Sequence, residues 1–201
     1  MQTTLAYTGR EIGEPASWIL GLVAVSVALA GVPGVLDPGF YKSPGFAAIL
    51  VAFVLHELAH RQVSRRYGLR SEFIAYTPGL LITLLSGLIP GIVIIAPGYV
   101  KTLLYAYTPN VKKAVYRSVA AGPLTNIVLS ILALAISHVA PPGNTWTSRF
   151  LGASVEVNAW IAFFNLLPVP PLDGSKILAT DRRGWAVLAV ISIILLVVSL
   201  A

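Results

Sequence analysis

A chain of 201 residues that is 56% hydrophobic and only 11% charged has too little polar surface for a soluble domain, in which about a quarter of the residues are charged. The net charge of +6 forms no basic patch interleaved with aromatics, which argues against nucleic acid as a partner. With no cysteine, disulfides and thiolate metal ligands are excluded.

The apolar residues fall in blocks near the roughly 20 residues that cross a bilayer. They run over 16–32, 45–64, 73–97, 118–140, 150–167 and 184–200. The pattern predicts an all-α polytopic membrane protein, a bundle of about five to six transmembrane helices with a re-entrant or short β-like segment at about 73–100. No polar interval is long enough to fold separately, so residues 1–201 read as a single membrane-embedded domain. The first block contains Ala28-Leu29-Ala30, a weak cleavage-site pattern. Arg10, Glu11 and Glu14 precede it in place of a basic region, so the block is expected to stay as a span.

The second block ends in "VLHELAHRQVSRR", residues 54–66. Four residues along a helix advance about 6 Å and return to within roughly 40° of the same face. His56 and His60 can therefore hold one ion. Glu57 projects beside them, placed to take a proton from water that the ion activates. On a soluble helix such a pentapeptide can be a chance pair of surface histidines. Inside an apolar span ionisable groups are costly and mark function.

The third block, "LLITLLSGLIPGIVIIAPG", is broken at Gly87 and again at Pro90-Gly91. If it crossed, two basic loops would lie on opposite sides: 61–72, with Arg61, Arg65, Arg66 and Arg70, and 98–117, with Lys101, Lys112, Lys113 and Arg117. That conflicts with the positive-inside rule. If it enters and turns back, five spans remain, and 12 of the 14 Lys and Arg residues collect on the cytoplasmic side, leaving Lys42 and Arg149 outside. The N-terminus is then cytoplasmic, the C-terminus external, and the protein a multi-pass protein of the cell membrane. Non-helical backbone at membrane depth must be buried or line a wet cavity, so a cavity is expected. Ile92, Val93, Ile94, Ile95 and Ala96 follow the Pro-Gly turn. They are expected either to offer a strand edge to an extended substrate or to pack as a lid.

A hydrolytic zinc site needs a third protein ligand and an open position. The other candidates are Glu11, Glu14, Asp37, Glu72, Glu156, Asp173, Asp181 and His138. His60 sits at the cytoplasmic end of its span, so depth decides. Asp37 falls in an external loop, and Glu156 and His138 fall at outer ends of spans. Asp173 fits best. It lies at the inner end of an inward-running span, where Pro168, Pro170 and Pro171 stop the helix. Its competing role is as a helix N-cap, and Glu72 is the second candidate ligand.

HELAH at 56–60, "AGPLTN" at 121–126 and "NLLPVPPLDG" at 165–174 occur in that order. Over about 45–180 the chain resembles the site-2 protease family of intramembrane zinc metalloproteases. The resemblance implies one Zn2+ per chain, held by His56, His60 and Asp173, with Glu57 as the catalytic base. It implies Asn126 and Asn165 near the substrate or the oxyanion, and a membrane-protein substrate. The charge topology, with His60 next to Arg61 at the inner end of its span, is what places the active site in the cytoplasmic leaflet of the bilayer. Three departures stand out: no PDZ-like insertion, five spans where the family core often has six, and a long apolar segment between the second and third core helices. On residue chemistry alone Asn126 could equally hydrogen-bond a neighbouring helix. Asn165 could satisfy carbonyls freed by the prolines. The rival functions are a divalent-metal transporter and a non-catalytic scaffold for membrane helices. The external half has almost no ionisable groups, which disfavours the first, and a complete HExxH-plus-Asp set disfavours the second.

Overall fold

A computed structural model describes residues 12–89, 91–103, 111–140 and 143–200. Arg10, Glu11 and Pro90 lie outside the described residues. Among those described, the helices are α1 (Glu14–Leu36), α2 (Pro44–Arg66), α3 (Thr77–Ser86), α4 (Val111–Val139), α5 (Trp146–Asn165), α6 (Asp173–Thr180) and α7 (Arg182–Ser199). Two strands, β1 (Arg70–Ala75) and β2 (Gly98–Leu103), and a 3-10 turn at Pro38–Lys42 complete the fold.

Helix starts follow local chemistry. Ser43 accepts from the Phe46 N–H at 3.1 Å, with Pro44 in the first turn of α2. Asp181 accepts from the N–H groups of Arg183 and Gly184 at the start of α7, at 3.1 and 3.0 Å. Inside α1 the chain kinks at Gly31, where φ is +70° and a side chain would be strained.

Among the described residues, four helices are long and apolar enough to cross a membrane: α1, α2, Lys113–Val139 of α4, and α7. The block expected at 150–167 becomes α5, which has a span's length, 20 residues, but not its hydropathy. It packs against α2, α4 and α7, and its Ser154 and Asn158 are buried. It can be polar because its neighbours are protein. The outer faces of the other helices are the reverse: Ile19, Leu132, Val187 and Val197 are each more than 45% exposed. Such surface is stable facing lipid, which gives the molecule the form of an all-α polytopic membrane bundle.

The strands explain the third apolar block. β1 and β2 run antiparallel, with Ala75 opposite Gly98. The Tyr76 N–H donates to the Pro97 carbonyl at 3.0 Å. The excursion 76–97 thus ends where it began. Its one helix, α3, has 10 residues, about 15 Å of rise against a hydrocarbon core of about 30 Å. The re-entrant expectation agrees with this hairpin. The position of the strand does not: residues 92–96 form no regular strand, and the extended element is 98–103. Gly91, at φ +81°, reverses the chain. The Ile94 and Ala96 N–H groups then donate to Ser86 Oγ and Thr83 Oγ1 of α3, at 3.1 and 3.0 Å. Polar side chains of α3 take donors that a strand edge would have left free.

Under the hairpin lies the main core. Phe73 of β1 is fully buried against Trp18 and Phe53, with ring centroids 5.2 and 5.8 Å away. Val25, Ile49, Ala52, Ile95, Val157 and Ile161 continue it. This core seats the sheet beside the middle of α2, where the sequence places its histidines.

Candidate metal centre

His56 and His60 lie one helical turn apart on the buried face of α2, 3% and 6% exposed. Their Nε2 atoms are 3.0 Å apart. Asp173, at the first turn of α6, brings Oδ2 to 3.0 Å from His60 Nε2 and 3.5 Å from His56 Nε2. These three residues can each offer one ligand atom within 4.8 Å of the others.

The far side of each ring fixes its proton. His60 Nδ1 is 2.7 Å from the Ser118 carbonyl, which can only accept. His56 Nδ1 is 2.5 Å from Asn126 Oδ1. That oxygen is identified by the other end of the amide, which donates to Ala52 O at 3.2 Å and to Asn158 Oδ1 at 2.8 Å. Both histidines therefore carry hydrogen on Nδ1, the tautomer that in a neutral ring turns the Nε2 lone pair toward Asp173. Two such nitrogens and a carboxylate oxygen within 3.0–3.5 Å of one another suit a cation held among them. Two imidazoles and one carboxylate are a zinc donor set, with ligand distances of about 2.0–2.2 Å. The residues fit the ion.

The supporting elements are built for this approach. On α4, Gly122 faces the rings: a Cβ there would overlap His60 Nε2 and lie 2.7 Å from His56 Nε2. On α6, a Cβ at Gly174 would collide with the Leu166 carbonyl, so glycine lets the helix start against the end of α5. Trp185 Nε1 donates to that same carbonyl at 2.8 Å, tying α7 to the turn that delivers Asp173. Lys176 Nζ stands 3.5 Å from Asp173 Oδ1.

Glu57 is 7% exposed and lines the cleft with His56, His60, Asp173 and Asn165. Among the described residues no protein group hydrogen-bonds it. The opposite wall is the chain from Ile95 to Val100.

The remaining expectations sort by position. Asn126 is fully buried, and its amide is spent on His56, Ala52 and Asn158, so it backs a histidine and does not face the cleft. Asn165 does line the cleft, with Nδ2 donating to Ile161 O at 3.0 Å. Glu72 lies on β1 opposite Lys101, outside the three-residue group. Of 92–96, Ile95 and Ala96 reach the cleft wall; Ile92, Val93 and Ile94 do not line it. Three contributors escaped sequence reasoning: the Ser118 carbonyl, Asn158 and Lys176. Gly122 stood inside the AGPLTN motif, and Asn158 carried a signal of its own, an amide in an apolar helix two turns before Asn165.

A membrane bundle that buries two histidines, a glutamate and an aspartate around one point has the form of a membrane-embedded metalloprotein. Comparison with known proteins narrows the class. The chain is 38% identical over 144 residues to the protein named "Putative zinc metalloprotease MJ0611" of Methanocaldococcus jannaschii, covering 70% of this chain and 71% of that one. It is 24% identical over 169 residues to the "Zinc metalloprotease MJ0392" of the same organism, covering 84% of this chain but 43% of that protein. No family model and no solved structure matches. The chain belongs to the site-2 protease family of zinc metalloproteases.

Proposed function

We propose that this protein is an intramembrane zinc endopeptidase, with Glu57 as its base and an extended segment of a membrane protein as its substrate. One observation carries the reading. Glu57 is buried beside the His56, His60 and Asp173 group, unpaired to any described group, in a cleft walled by the edge of β2.

The edge has a defined polarity. Tyr76 and Pro97 form a hydrogen-bonded pair, so with the observed register 74/99 and 72/101 are the next such pairs. The N–H and C=O groups of Gly98 and Val100 then point away from β1, on the cleft side. A peptide laid along β2 can pair with them. A transmembrane helix hides its carbonyls in its own hydrogen bonds, so unwinding onto this edge exposes a scissile carbonyl.

His56, His60 and Asp173 would hold the zinc. When bound, the metal supplies Lewis acidity, lowering the pKa of water toward about 7 and polarising a carbonyl. Glu57 accepts the proton as the water oxygen bonds to the carbonyl carbon. The C–N bond breaks, and Glu57 delivers that proton to the leaving nitrogen. Asn165 and Lys176, both on the cleft wall, are side chains that could donate to a developing oxyanion.

The test is Glu57→Gln in purified protein reconstituted with a membrane-spanning substrate. Cleavage should fall by at least about 10²-fold, the lower range for general acid–base catalysis, with one zinc per chain retained. Near-normal turnover would remove Glu57 from the mechanism.

A further inference from the structure

A second concavity lies on the opposite face of α4 from the metal centre. It is an open groove of about 840 Å³ between the C-terminal end of α2 and the N-terminal parts of α4 and α7. Arg66, Arg117 and Arg183 each contribute from a different helix, and all three are exposed. Among the described residues none is ion-paired with a carboxylate. Asp181, the nearest acid in sequence, is occupied capping α7. Arg117 Nη1 donates to Tyr67 Oη at 2.6 Å, fixing one guanidinium at the groove.

Below the arginines the lining turns apolar: Ala120, Ala121 and Leu124 on α4, Val187 and Leu188 on α7. From Arg117 to Leu124 is seven residues, about 10 Å along the helix axis. Both helices qualify as membrane spans, so this floor runs from the positive end toward the hydrocarbon.

We propose that the groove is a binding site for an anionic phospholipid, with its phosphate against Arg66, Arg117 and Arg183 and an acyl chain on the α4–α7 floor. Asp181 lies beside Tyr116 and Gly184 of the lining, but it is a single carboxylate against three arginines from three helices, and an anion among them supplies counter-charge. Guanidinium forks suit phosphate oxygens. A free phosphate would satisfy the rim and leave the floor bare. A neutral phospholipid would cover the floor and leave the arginines without a net counter-charge. Basic pockets between transmembrane helices bind anionic headgroups on these grounds. The site needs no part of the protease reading, because none of its lining residues lines the metal cleft.

The experiment is native mass spectrometry of the full chain in neutral detergent, titrated with phosphatidylglycerol or with phosphatidylcholine of the same acyl chains. Phosphatidylglycerol should be retained at least about tenfold better. Each Arg→Gln change at 66, 117 or 183 should weaken its retention about fivefold, with zinc content unchanged as a check on folding. The triple Arg→Lys variant should keep a preference for the anionic lipid. Equal retention of the two lipids would overturn the proposal. So would an Arg66→Gln/Arg117→Gln/Arg183→Gln protein that binds like the parent, or displacement by millimolar inorganic phosphate. Occupation of the groove by a second copy of the chain, seen as a dimer that excludes lipid, would overturn it too.

Discussion

His60 can present a lone pair only because a backbone carbonyl, Ser118 O, takes its other nitrogen. His56 depends in the same way on Asn126, which depends on Asn158. Groups behind metal ligands typically change metal affinity about 10–100-fold when lost. Asn126→Ala should therefore weaken zinc binding by that factor in a chelator competition while the helical circular dichroism stays unchanged. Gly122→Ala should do at least as much, since its methyl would meet both imidazoles. If both variants hold zinc like the parent, the Nδ1 partners do not set the ligand geometry. The three-residue group that could hold a metal was legible because HExxH is local, one turn of one helix, and because depth along the spans singled out Asp173. The partner of His56 was not: Asn126 lies 70 residues away. An amide in an apolar helix says only that it needs a partner, not which one. A backbone carbonyl such as that of Ser118 leaves no trace in a sequence at all.

At the scale of elements, the hairpin β1–α3–β2 does two things with one segment. Its strands close the re-entrant excursion, and among the described residues no third strand pairs with β2, whose Gly98, Tyr99 and Val100 line the cleft. Unpaired edges invite another strand. Proline is tolerated on an edge where the lost N–H faces outward, and not where it joins the ladder. Val100→Pro should thus leave fold and zinc content intact. It should reduce kcat/KM on a membrane substrate about fivefold to tenfold, the effect of one net hydrogen bond of roughly 1 kcal/mol or slightly more. Tyr99→Pro, one residue away, removes a donor paired with Ile74 and should destabilise the protein. Equal effects of the two on unfolding midpoint would show that Val100 does not face the edge. The sequence disclosed the excursion through Gly87 and the Pro-Gly break, because chain reversal has a composition. It misplaced the strand by about six residues. β-Branched residues at 92–95 carry the propensity, but Ser86 and Thr83 claim the backbone donors of Ile94 and Ala96, a tertiary effect that overrides propensity.

For the whole molecule, sidedness follows from combining the hairpin with the charges. Because Ala75 and Gly98 are paired, the turn after α2 and strand β2 lie on one side of the bundle, as the grouping of arginines and lysines requires. α2 and α4 then run in opposite directions from that side. The loops holding Lys42 and Asn144 fall together at the far end, where Trp146 Nε1 donates to the Lys42 carbonyl at 3.2 Å. If positive charge marks the cytoplasmic face, the metal centre, on the half of α2 that ends at Arg66, is expected in the inner leaflet. The absence of native cysteine makes this testable by single substitutions. Lys42→Cys and Asn144→Cys, both exposed, should react with an impermeant maleimide in right-side-out cells. Arg65→Cys and Lys113→Cys, equally exposed, should react only after the membrane is permeabilised. Labelling at Arg65 and Lys113 in intact cells, with protection at Lys42 and Asn144, would invert the molecule. Labelling at only one of Arg65 and Lys113 would mean that the hairpin segment crosses the bilayer, and the pairing of its two ends could not hold in the membrane.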